Sequence, residues 1–204
     1  MLPEMSEKDV NIERLAEKVL ADNTLLSELL EGLRVKNETY RYNCSRVLTL
    51  ISEQHGELLY PEWDYFVSLL SSDNTYHKLS AILIIANLVS VDTESRFEKI
   101  LDTYYRLLDD RSMITAVYIA RSSGKIVRAK PDLEPYITSR LLDIDKTHHE
   151  SGRKELIKSG AIEALIEYYS LAEDRTKIIG FVKAQLESES PKTRRMAREF
   201  LKKL

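Results

Sequence analysis

The sequence predicts an all-α protein built as a stack of helix pairs, an α-solenoid, and three observations carry that expectation. Apolar residues recur three and four positions apart along almost every segment, and none shows sustained strand-like alternation. The 204 residues contain only 6 Gly and 5 Pro, few for the tight turns of an all-β fold. A short signature, Asn37-Glu-Thr-Tyr40, returns 36 residues later as Asp73-Asn-Thr-Tyr76, each time just past a Leu-rich helix and just before an aliphatic one. Asp109-Asp-Arg-Ser112 is a looser third copy and Glu187-Ser-Glu-Ser190 a fourth in style. One such pair cannot cover its own apolar face, so neighbours must stack to do it.

The elements follow in order from their start signals. Ser6 and Asp9 offer a capping box ahead of Ile12, Leu15, Ala16 and Val19. Asp22 or Asn23 can cap the helix holding Leu25, Leu26, Leu29, Leu30 and Leu33. Asn37 can cap the next, with Cys44, Val47, Leu48 and Ile51 on its inner face. Pro61 sits at a first-turn position before Trp63, Phe66 and Leu70. Asp73 is the expected cap of a helix near 75–90, where Ala81-Ile-Leu-Ile-Ile-Ala86 is apolar around its whole circumference, as a mid-stack helix must be. Thr93 is the expected cap of the helix carrying Phe97, Ile100, Leu101, Tyr104 and Leu108. A helix from Ser112 to Ala129 follows, then one opened by Pro131 and a last one opened by Ser190-Pro191. Residues 149–188 leave two parses open, a long helix broken at Gly160 or three shorter helices. The expected organisation is one repeat domain, 1–204, with capping helices at 1–21 and 191–204.

Composition narrows the class further. At 43% hydrophobic and 31% charged, the chain has the balance of a globular protein rather than a disordered one. Its start lacks the basic flank and apolar run of a signal peptide, and its longest apolar stretch, Ala81–Ala86, is far short of the ~20 residues that cross a bilayer. A cytoplasmic location with no membrane association is expected. The single cysteine, Cys44, excludes an intramolecular disulfide and lies on an apolar helix face, where packing is its expected role. The net charge of −3 conceals an asymmetry: residues 1–102 carry 10 Lys/Arg against 18 Asp/Glu, and residues 103–204 carry 20 against 15.

Two stretches resemble the armadillo/HEAT superfamily. Lys158-Ser-Gly-Ala-Ile-Glu-Ala-Leu-Ile166 is similar to the second helix of an armadillo repeat, where a glycine break precedes Ala-Ile-x-x-Leu. Ile85-Ala-Asn-Leu-Val89 is similar to the end of that family's third helix. The resemblance implies a right-handed α-α superhelix, here of about five helical repeats, whose third helices line a concave groove. In armadillo proteins that bind extended peptides, a third-helix asparagine bonds the peptide backbone. Asn87 matches that position, Gln185 is a counterpart and Arg121 a looser one, while Leu83 stands where the family's tryptophan usually does.

No catalytic set emerges. There is no GxSxG elbow and no phosphate-binding loop; Arg121-Ser-Ser-Gly-Lys125 lacks the glycine spacing and sits inside a helical pattern. His148 and His149, near Asp143, Asp145 and Glu150, form a possible metal cluster, but adjacent histidines on a connector do not converge as an i, i+4 pair does. No metal and no cofactor are therefore expected. The basic residues fall in stripes: Arg121, Lys125 and Arg128; Arg153, Lys154 and Lys158; Arg194, Arg195, Arg198 and Lys202. Aligned, they would suit phosphates. The one tryptophan, Trp63, lies in the acidic half, which argues against the base-excision chemistry of HEAT-like glycosylases. The 11 tyrosines suit either a protein interface or the seams between repeats. The reading is a non-enzymatic scaffold presenting Asn87, Arg121, Lys125, Arg128 and Gln185 to a protein or peptide. The alternative is nucleic-acid binding through the basic second half.

Overall fold

The computed structural model describes residues 3–204; Met1 and Leu2, the first residues of the expected capping segment, lie outside them. Every regular element among the described residues is helical. The chain divides into two compact units, 1–91 and 92–204.

The first unit holds α1 (Ile12–Ala21), α2 (Thr24–Gly32), α3 (Glu38–Gln54), the short α4 (Gly56–Leu59), α5 (Trp63–Leu69) and α6 (Thr75–Leu88). Helices α1 and α2 pack on α3, α3 packs on α6, and α4 and α5 cover α6. Asn37 caps α3 as expected, its side chain accepting from Tyr40 N at 3.0 Å. The Asp22 carboxylate takes Thr24 N (3.0 Å) and Thr24 Oγ1 (2.6 Å) at the start of α2.

Two expected caps move. Helix α1 begins at Asn11, which accepts from Arg14 N at 2.8 Å, and not at Ser6. The Ser6 stretch is instead a 3-10 turn, pinned where the buried Asn43 amide donates to Met5 O (2.9 Å) and Glu7 O (2.8 Å) while Met5 enters the core. At α6 the cap is Asn74, beside the first helical residue, and not Asp73. The aliphatic run of α6 behaves as its composition demands: Ala81, Ile82, Ile84 and Ile85 have no exposed surface. Each buried isoleucine contributes roughly 1.5–3 kcal/mol.

The second unit holds α7 (Arg96–Arg106), α8 (Met113–Ala129), α9 (Glu134–Leu142), α10 (Ser151–Tyr168), α11 (Arg175–Ala184) and α12 (Pro191–Leu201). Helix α10 packs on α8 on one side and on α12 on the other, with α9 against both α8 and α10. The α7 cap is Asp92 rather than Thr93: its carboxylate accepts from Arg96 N and Phe97 N, both at 2.9 Å. The longer reach of the Asp92 side chain spans a turn in which Ser95 takes the left-handed φ of 52°. Ser190 caps α12 at Thr193 N, 3.3 Å away.

Neither parse of 149–188 holds. Helix α10 runs unbroken through Gly160, a 3-10 turn follows, and α11 completes the span. A Cβ on Gly160 would sit 2.9 Å from Val117 O and 3.4 Å from Ala120 Cβ, so the residue is glycine because α10 lies almost on the backbone of α8. Gly124 on α8 answers it: a Cβ there would lie 2.7 Å from Glu167 Cδ. Within each unit the longer helices lie side by side, α3 on α6 in the first and α10 against α8 and α12 in the second.

Candidate functional site

Three of the five predicted contact residues share helix α8. A rise of four and then three residues places Arg121, Lys125 and Arg128 on one face, and that face looks onto α10. The Arg121 guanidinium meets the Glu163 carboxylate (Nε to Oε2, 2.5 Å) and Arg128 meets Glu167 (2.9 Å). Glu163 and Glu167 are themselves one turn apart on α10, so an acidic stripe faces the basic one on either side of the glycine crossing. Lys192 of α12 also reaches Glu163, at 3.3 Å.

Gln185 follows α11 in the same unit. It is buried, and its amide donates to Phe181 O at 3.0 Å. Asn87 belongs to the first unit and is 7% exposed. It donates to Ser52 Oγ (2.9 Å) and Thr49 O (3.4 Å), tying α6 to α3. The structure thus brings Arg121, Lys125 and Arg128 together on one surface and places Asn87 and Gln185 in interior bonds.

The other basic stripes are also engaged. Lys158 is almost buried between Asp145 and Glu155, 2.8 Å from each. Burial works against its charge, but the hydrogen bonds that its ammonium donates to those two carboxylates outweigh it and raise its pKa. Lys154 donates to Asp145 O (2.9 Å), and Arg194 donates to Ser188 O (2.5 Å) and Glu189 O (3.1 Å). The stretch Ser122-Ser123-Gly124, which resembled part of a phosphate loop, lies buried inside α8, where Ser123 Oγ donates to Ile119 O (2.9 Å) and accepts from Tyr105 OH (3.0 Å). Cys44 is wholly buried, and burial pushes its thiol up to about 12, which removes it as a nucleophile near neutral pH.

The tyrosines span the whole range of burial, with Tyr60, Tyr65, Tyr118, Tyr136 and Tyr169 half-buried. Tyr40, Tyr104, Tyr105 and Tyr168 are buried, the last through a chain in which Thr138 Oγ1 lies 2.8 Å from Tyr168 OH and 2.6 Å from Glu134 Oε1. Tyr42 and Tyr76 are instead 61% and 59% exposed. Each carries an arginine on its face: Arg46 lies 5.7 Å from the Tyr42 ring centre and Arg41 lies 5.3 Å from that of Tyr76. Beneath them the Ser45 and Ser80 hydroxyls join α3 to α6 at 2.7 Å. Local pattern does not distinguish these two from Tyr40, Tyr104, Tyr105, Tyr168 and Tyr169, which also fall near helix ends or in pairs.

Sequence reasoning also set aside His148 and His149. In the structure they meet Asp109, one donor atom from each of the three lying within 4.8 Å of the others. Burial opposes the charge of Asp109, but hydrogen bonds from the His148 amide and ring hold its carboxyl below the usual range. Burial, reinforced by His148, lowers the pKa of His149.

The fold defines an all-α repeat protein of armadillo-like architecture. A designed armadillo repeat protein matches it with a TM-score of 0.53 at 16% sequence identity, over 92% of this chain and 84% of the other. At that identity the likeness establishes the fold alone. No family model matches the sequence, and no curated protein matches it. No helix among the described residues is long and apolar enough to cross a membrane.

Proposed function

We propose that this chain is a non-enzymatic binding scaffold for a protein or peptide partner, and that its principal contact face is the Tyr42–Arg46 and Arg41–Tyr76 surface of α3 and α6. The observation that carries the reading is the exposure of Tyr42 and Tyr76, where every other tyrosine among the described residues is buried or half-buried. Tyrosine and arginine dominate the energetics of protein interfaces because they supply wide contact area at a small ordering cost. An arginine stacked on each ring holds the aromatic surface in place and presents cation with it. An acidic segment with an apolar anchor fits that combination. The α8 residues Arg121, Lys125 and Arg128 are proposed as a secondary contact, reached together with Glu163 and Glu167 as a mixed-charge surface. Their pairing with carboxylates is also why nucleic acid is the weaker reading: a phosphate would have to displace glutamates already at contact distance.

Selection of peptides from a random library against the full chain tests this. Enriched peptides should be acidic, and their affinity should fall by about tenfold or more in the Tyr42→Ala/Tyr76→Ala variant. Leu171→Ser, at an exposed apolar position of the second unit, should leave it unchanged. Selected peptides that bind the double variant as tightly as the parent would remove this face from the proposal.

A further inference from the structure

We propose that Asp109, His148 and His149 form a binding site for a divalent transition-metal ion, with Zn2+ the ion it suits best. The site lies wholly within the second unit. Asp109 ends the 3-10 turn Leu107–Asp109 that follows α7, and the two histidines occupy the connector between the turn Ile144–Lys146 and α10.

Two independent observations carry the site. The first is convergence. One donor atom from each residue lies within 4.8 Å of the other two, although Asp109 is distant from the histidines in sequence. The His148 backbone amide and its Nδ1 both engage Asp109 Oδ1, at 2.7 and 2.6 Å, which fixes the connector against the end of α7. The His148 and His149 rings lie side by side and tilted, 4.4 Å between centres and 33° apart, although the two residues are adjacent in sequence.

The second is the state of His149. Its residue is only 4% exposed, and neither ring nitrogen makes a hydrogen bond of ordinary geometry. A buried polar group without a partner costs roughly 1–3 kcal/mol, and folded proteins rarely leave one so. The Leu108 backbone is within reach of the ring as a hydrogen-bond partner, but the geometry is poor and satisfies neither nitrogen fully. A ligand would complete the bonding that the packing leaves poor.

The donor set names the ion class. Two imidazoles and one carboxylate suit Zn2+, Co2+, Ni2+ or Cu2+, whereas Ca2+ and Mg2+ take oxygen donors almost throughout. Zinc–nitrogen bonds of about 2.0–2.1 Å require tetrahedral donors to close to about 3.4 Å. Small side-chain rotations achieve this closure, since the Asp109 and His148 side chains are 49% and 55% exposed and have room to swing. His148 would then exchange its bond to Asp109 for one to the ion. Three protein ligands leave a fourth position for water or for an atom of a bound partner. By joining the end of α7 to the start of α10, the ion would brace the connector between successive helix pairs.

Zinc alone, titrated into the untagged full chain and followed by calorimetry, tests the assignment. The expected result is one ion per chain, with Co2+ in its place giving the visible absorption of a low-symmetry nitrogen–oxygen site. Loss of a direct ligand should exceed the ~100-fold weakening seen for outer-shell partners, so Asp109→Ala and His148→Ala should each lose more than that. These two positions are exposed, which keeps the test independent of any unfolding in His149→Ala. Zinc should raise the melting temperature of the parent and leave that of His148→Ala unmoved. His55→Ala and His77→Ala, the other histidines, should bind as the parent does. Absence of stoichiometric binding, or binding that survives both Asp109→Ala and His148→Ala, would overturn the site.

Discussion

The two units solve one packing problem by different means. In the first, α3 meets α6 through aliphatic side chains and small neutral groups, Ser45 on Ser80 and Asn87 on Ser52. In the second, α8 meets α10 through bare backbone, with Gly160 against Val117 O and Gly124 beneath Glu167, and charged pairs line the crossing. The first arrangement tolerates some loosening, because side chains can rotate to refill a gap. The second does not, because a carbonyl fixed in a helix cannot step aside. Buried polar groups differ in kind: the second unit pairs Lys158 with Glu155 inside its core, while along α3 and α6 the first buries Asn43, Ser52, Lys78, Ser80 and Asn87.

The largest effect is therefore expected at Glu155. Its carboxylate pairs with Lys158 at 2.8 Å and accepts from Ser188 Oγ, all in a poorly exposed pocket between α10 and α12. Glu155→Ala strands a buried ammonium that keeps only Asp145, and the loss should be about 3 kcal/mol, the low end for breaking a buried pair. Urea denaturation followed by circular dichroism measures it. A loss below about 1 kcal/mol would place the cluster in the class of solvated surface pairs and cancel the contrast between the units.

A smaller effect, but one of opposite sign at two glycines, separates backbone approach from helix propensity. Gly160→Ala adds a methyl group 2.9 Å from Val117 O and should cost about 2 kcal/mol, as overpacking does. Gly180→Ala, in α11 with nothing within 4 Å of its new carbon, should instead stabilise by up to about 1 kcal/mol. If both changes stabilise, α8 and α10 are not held by their glycines.

That pair of glycines also marks where sequence reasoning stopped. Periodicity and caps belong to neighbouring residues, so Asn37, Asp22 and Ser190, with the prolines at Pro61 and Pro131, were legible as helix starts, and α6 was legible as buried from its apolar circumference. Cap positions slipped where tertiary contacts intervened, as with Met5 held under Asn43. A break at Gly160 is one of two parses that the sequence leaves open, and only the partner helix reveals this glycine as a point of closest approach. The contact residues show the same limit. The spacing of Arg121, Lys125 and Arg128 sets them along one helix, but the partners of Arg121 and Arg128, Glu163 and Glu167, come from α10 and are invisible in that spacing. Asp109 meets the histidines through the His148 amide and ring, a contact across the fold that no local pattern encodes.

The smallest effect concerns those pairs and decides what the rim of the α8–α10 crossing contributes. Arg121 and Glu163 touch at 2.5 Å, yet their side chains are 44% and 23% exposed, so water and salt share the interaction. A double-mutant cycle on Arg121→Ala and Glu163→Ala should give a coupling below about 1 kcal/mol. Lys192 also leans on Glu163, so the single Glu163→Ala variant loses two contacts, and only the cycle isolates the one. Raising the salt to ~1 M, where screening acts over about 3 Å, should shrink the coupling further while the Glu155→Ala effect persists. A coupling above about 2 kcal/mol, insensitive to salt, would mean that charge rather than glycine-depth approach holds α8 on α10. It would also fix Arg121 in the scaffold and remove it from the surface offered to a partner.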